Sequence, residues 1–100
     1  MKTIDVTIAR IYVMESEHLL TRIVNYLKND VKIRGVSVFR AISGFGETGN
    51  HSASLLDLSV NLPLAIEFFD SKDKIEIALQ HLSKTIKHEH IVFWEAKAND

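Results

Sequence analysis

The sequence predicts an α+β fold, and three observations carry that expectation. Four short stretches read as strands, the first by apolar residues alternating with polar ones, while two longer stretches repeat apolar residues at helical spacing. The two kinds follow one another in the order strand, helix, strand, strand, helix, strand. One hundred residues, 46% apolar and 25% charged, suit a single domain over residues 1–100 with one core.

Thr3 to Val13 reads as a strand, with Ile4, Val6 and Ile8 alternating against Asp5 and Thr7. Ile11 and Val13 fall on the opposite parity, which predicts a bulge or bend near Ala9 and Arg10. Ser16 is the expected N-cap of a helix from Glu17 to Lys32, whose apolar row is Leu19, Leu20, Ile23, Val24, Leu27 and Val31. Gly35 stands where that helix must stop, and a left-handed backbone there carries no steric penalty. Val36 to Phe45 and Pro63 to Phe69 read as the second and third strands. Asp70 or Ser71 caps a second helix with Ile75, Ala78, Leu79, Leu82 and Ile86 on its inner side, and Ile91 to Lys97 makes the last strand. This is the split order of a ferredoxin-like βαββαβ sandwich, an antiparallel four-stranded sheet with two helices on one face.

Helices on one face leave the other face of such a sheet to water, and it should then be polar. Here both parities are apolar. Val36, Val38 and Ile42 oppose Phe39 and Ala41; Leu64, Ile66 and Phe68 oppose Ala65 and Phe69; Ile91 and Phe93 oppose Val92, Trp94 and Ala96. An apolar face of that extent predicts an oligomer that covers it.

Composition excludes several kinds of function. A net charge of −1 gives no basic face for nucleic acid, and the absence of cysteine removes disulfides, zinc–thiolate sites and thiol catalysis. No apolar run approaches the roughly 20 residues of a membrane span, and the first residues lack the pattern of a signal peptide, so a cytoplasmic location is expected. No serine sits in a nucleophile elbow, and nothing in the chain argues for an enzyme.

The residues with chemical potential are few. Arg40 shares the parity of Val36 and Val38, and a guanidinium in apolar surroundings needs a partner: either a structural ion pair, with Glu67 on the third strand as first candidate, or a bound anion. Gly44, Phe45 and Gly46 form either the hinge of a long hairpin or a turn whose backbone N–H groups meet a phosphate, and a polar segment follows to Ser54. Lys84 and Lys87, between the second helix and the last strand, either offer charge to an anion or complement the helix C-terminus. His88 and His90 would share a face if extended, and His51 could complete a three-histidine cluster suited to zinc, copper or nickel. His18 and His81 fall on the polar sides of their helices.

The run Gly35-Val36-Ser37-Val38-Phe39-Arg40-Ala41-Ile42-Ser43-Gly44-Phe45-Gly46 resembles the family known as domain of unknown function 190, of the PII-like group. The resemblance extends to Leu56 through Glu67 and to Asp70 through Ile75, so it covers most of the chain in order. It implies a homotrimer with sheets packed around a three-fold axis. It also implies a non-enzymatic signalling role, with a small anionic effector, plausibly a nucleotide, held between subunits. Residues 46–54 would then be the loop that frames the effector and contacts a partner, such as a membrane transporter or channel. The ligand-binding residues so expected are Arg40, Gly44, Phe45, Gly46, His51, Lys84 and Lys87, with no permanent cofactor. One departure stands out: the segment Ser83 to His90 lacks the glycines that grip phosphates in nucleotide-binding PII proteins, so those contacts are not carried over.

Overall fold

The computed structural model describes residues 1–42 and 61–100. Within them β1 (Thr3–Met14), β2 (Gly35–Arg40), β3 (Pro63–Asp70) and β4 (Ile91–Asn99) form one sheet in the order β2-β3-β1-β4, antiparallel throughout. Helices α1 (Leu20–Asn25) and α2 (Lys72–Leu82) pack on one face, which confirms the ferredoxin-like α+β sandwich.

Register decides which parity is inside. Ile11 stands opposite Ile66 and Ile91, and Ile66 opposite Val38, so these four share a face. Ala9, Ile11, Val13, Leu64, Ile66 and Phe68 lie under the helices, where Ile23, Leu27, Ile75, Ala78 and Leu82 close the core. Ile4, Val6 and Ile8 belong to the opposite face. The expected bulge near Ala9 and Arg10 is absent: pairing runs unbroken from Thr3 to Ile11 against β4 and from Thr7 to Met14 against β3. The strand has apolar residues on both faces, and that alone produces its apparent change of phase.

The first helical region starts later than expected, and it ends at Lys32 as expected but for a different reason. Ser16 is not an N-cap. It lies within a tight turn, Glu15–Glu17, which closes on itself when the Met14 N–H donates to Glu17 Oε1 at 2.7 Å. His18 then takes a left-handed backbone (φ 55°), and α1 begins only at Leu20. From Tyr26 to Val31 the helix widens to i→i+5 bonding. Its end is at Lys32 (φ 62°, ψ 50°), where the Leu27 carbonyl accepts from the N–H of both Lys32 and Ile33. Gly35 does not terminate the helix. The Leu27 carbonyl has already reversed the chain, and Gly35 is the first residue of β2, with open space where a Cβ would stand.

The second half follows the sequence more closely. Ser71 caps α2 by accepting from the Lys74 N–H at 3.4 Å, and Ile86 is buried in the turn beyond Leu82. Asp70 is almost fully buried at the end of β3, where its carboxylate accepts from the N–H groups of Ser71 (2.7 Å) and Arg34 (3.1 Å). One side chain thus joins β3, the start of α2 and the approach to β2.

The strand expected to run to Phe45 ends at Arg40, and the described residues Ala41 and Ile42 lie beyond it. Gly44, Phe45, Gly46, His51 and the segment 46–54 lie outside the described residues. Among the described residues no helix is long and apolar enough to cross a membrane.

Candidate functional site

Arg40 ends β2 on the helix side of the sheet, opposite Leu64. Its partner is Glu15, not Glu67: Nε donates to Glu15 Oε1 at 3.0 Å and Nη2 stands 2.9 Å from the same oxygen. Glu67 cannot serve, because it pairs in register with Ser37 and so projects from the opposite face three positions along. Glu15 also accepts from the Leu62 N–H at 3.2 Å, while its own N–H donates to the Leu62 carbonyl. The Ala41 N–H donates to the Pro63 carbonyl at 2.9 Å, and the Ser16 N–H to Asn61 Oδ1 at 3.1 Å. Arg40 is therefore the corner of a joint that holds Ala41 and Asn61, on either side of residues 43–60. The Arg40 guanidinium, aided by the Leu62 N–H, holds the Glu15 carboxyl below its ordinary range against the opposing effect of desolvation.

Lys84 and Lys87 lie in the connection from α2 to β4, which reaches the same end of the sheet at its opposite edge. Three strand spacings separate β2 from β4, about 14 Å. One chain therefore keeps these lysines apart from Arg40. His88 and His90 occupy a 3-10 turn rather than extended chain, so at three residues per turn they do not share a face. Among the described residues no three His, Cys, Asp or Glu side chains converge as a metal site. His81 stacks on Tyr26, ring centroids 4.0 Å apart, and burial followed by the nearby Asp30 charge pushes the Tyr26 hydroxyl above its ordinary pKa. His18 is the left-handed residue before α1, not part of a helix face.

The open face of the sheet carries a second constellation, of which the sequence reading named the apolar members Phe39, Val92 and Trp94 but missed the pairing of Arg10 with Glu67. Phe39 is 54% exposed, Tyr12 40% and Trp94 38%, and Val92 is exposed beside them. Near the middle, on the two inner strands, Arg10 faces Glu67 in register. Arg10 Nε and Nη2 both donate to Glu67 Oε1, at 3.1 and 2.6 Å, and the guanidinium lies 5.4 Å from the Trp94 ring centroid. Tyr12 first, then Glu67, holds that guanidinium in its charged form beyond the ordinary arginine range. The available signal was that Arg10 and Glu67 are each the lone charge in an apolar run.

The model of the DUF190 family, described as "Uncharacterized ACR", matches residues 2–98. The chain belongs to the DUF190 family. A UPF0166 protein of Aquifex aeolicus is 30% identical over 95% of this DUF190 chain and 93% of its own length. Another, of Methanocaldococcus jannaschii, is 33% identical over 78% of this chain and 71% of its own. Among solved structures, CPII of Thiomonas intermedia K12 bound to ADP and bicarbonate superposes with a TM-score of 0.77 at 13% identity, over 99% of this chain and 93% of that one. CPII is a nitrogen regulatory PII-like protein, also solved with ADP, AMP and bicarbonate (TM-score 0.74, 11% identity, 99% and 98% covered). The likeness establishes a PII-like fold for this DUF190 member.

Proposed function

We propose that this protein is a non-enzymatic PII-like signalling protein. It acts as a homotrimer, binds a small anionic effector, a nucleotide, between subunits, and signals to a partner protein through residues 46–54. The observation that carries the reading is the placement of the cationic groups. Arg40 is anchored on Glu15 at the joint beside that segment, while Lys84 and Lys87 lie at the far edge of the same sheet end. A site that uses both needs a neighbouring copy to bring the lysines across. The exposed aromatic residues of the open face support the same assembly, since a monomer would leave them wet. ADP and bicarbonate in CPII, a protein of the same fold, support an anionic nucleotide as effector.

The reading is tested by calorimetric titration with ATP, ADP, AMP and cyclic nucleotides, alongside light scattering. The wild type should scatter as about 34 kDa, three chains of 11.4 kDa, and Phe39→Asp should lower that mass. At least one nucleotide should bind, and Arg40→Ala should weaken it by roughly tenfold or more, the effect of losing a charge-assisted contact. Arg40→Lys keeps the charge but loses the planar fork, and should fall between the two. A monomer that binds none of these nucleotides, or an Arg40→Ala protein that binds as well as wild type, would refute the proposal.

A further inference from the structure

The Arg10–Glu67 pair is placed where a structural surface pair is not needed. It lies near the middle of the open face, on the inner strands β1 and β3, among side chains that are apolar and exposed. Its internal bonding is lopsided: the two Arg10 donors that reach Glu67 share one of its oxygens, and among the described residues the other oxygen accepts nothing. The guanidinium lies over the Trp94 ring, 5.4 Å from its centroid, which adds a cation–π contact to the pair.

Whatever covers this face must answer that arrangement. A purely apolar partner would bury an ionised carboxylate oxygen without a donor, which is costly. An acidic or basic partner would add a charge to a pair that is already neutral. A second copy of the chain brings one donor fork and one waiting acceptor of its own. It satisfies the first copy and leaves the same need for the next, the pattern that closes into a ring under rotation.

Resting on the trimeric reading above, we infer that Arg10 and Glu67 form the polar lock between copies. The Arg10 guanidinium of one copy donates to the Glu67 carboxylate of the next, which makes a ring of alternating charges inside an otherwise apolar interface. The pair then fixes the register and hand of assembly, which apolar contacts alone leave loose.

Mixing two defective variants tests it. Arg10→Met and Glu67→Met each keep bulk at the interface but break the ring, and each should lose the 34-kDa species at micromolar concentration, roughly a thirtyfold weakening or more, with far-UV circular dichroism unchanged. Mixed in equal amounts they should assemble better than either alone but short of wild type, because a ring of three then has one contact that pairs Arg10 with Glu67, one between two methionines and one that keeps the defect, against three defects in either variant by itself. A mixture of two folded variants that assembles no better than either alone overturns the inference, as does wild-type mass in either one alone. If a methionine variant does not fold, Glu67→Gln replaces it and should raise the dissociation constant; an unchanged constant overturns the lock. A wild-type monomer would refute the trimeric reading itself, whereas a wild-type trimer indifferent to these changes refutes only the lock.

Discussion

Lys32, not Gly35, carries the left-handed turn that ends the first helical region, so introducing glycine at the first position and removing it from the second should both stabilise. A non-glycine residue with φ 62° sets its Cβ against the following carbonyl, at a cost of about 1–2 kcal/mol. Lys32→Gly removes that strain but adds roughly 0.4–1 kcal/mol of unfolded-state entropy. The Lys32 carbonyl still accepts from Lys74 Nζ at 3.1 Å, and the N–H still reaches Leu27, since both are main-chain groups. The net is a stabilisation of about 0.5–1 kcal/mol. Gly35 lies in a strand with nothing within 4 Å of the place a methyl group would take, so Gly35→Ala should stabilise by roughly 0.4–1 kcal/mol. At about 4–8 °C per kcal/mol, each variant should melt a few degrees higher. Calorimetry or urea melts at one fixed chain concentration check it, because assembly makes stability concentration-dependent. If Gly35→Ala destabilises while Lys32→Gly is also unfavourable, the glycine is the left-handed residue after all and the reasoning fails.

Two further outcomes follow from the charged joints. Asp70→Ala removes the acceptor for the Ser71 and Arg34 N–H groups, and should cost about 3 kcal/mol in urea unfolding; Arg34 and Lys74, near 3.8 and 3.9 Å and half exposed, add little. Glu15 has a folded pKa below its ordinary 4.5, so its contribution is complete above that value and is lost as pH falls through the folded one. Glu15→Gln should therefore flatten the acid limb of the stability curve below about pH 4.5 and leave its shape near neutrality unchanged; an unaltered acid limb would show that the Arg40 contact does not hold in solution.

The parts of the fold legible in the sequence were those where one physical signal had a single reading. Ile75, Ala78 and Leu82 recur at helical spacing behind a serine cap, and α2 starts where they predict, although it ends at Leu82 and leaves Ile86 in the turn beyond. Leu64, Ile66 and Phe68 alternate in a run bounded by Pro63, and β3 follows. Where both faces of a strand are apolar, parity ceases to mark the inside, so β1 reads as bent when it is straight. The choice of Glu67 for Arg40 failed for a related reason. Two residues on neighbouring strands meet only if register and face both agree, and register comes from the connection between them. The first helical region ends at Lys32 as expected, but what ends it was credited to Gly35, because a left-handed lysine leaves no mark in the sequence whereas a nearby glycine invites the assignment. Of the expected ligand residues, Arg40, Lys84 and Lys87 fall at one end of the sheet but not together, and the remainder lie outside the described residues.

The joint around Glu15 divides the labour of the chain. Among the described residues, Arg40, Ala41, Asn61, Leu62 and Pro63 are tied to one another and to the turn after β1. This frame sets where the chain leaves for residues 43–60 and where it returns from them. Selection on what that span contacts and selection on the core can proceed on separate residues.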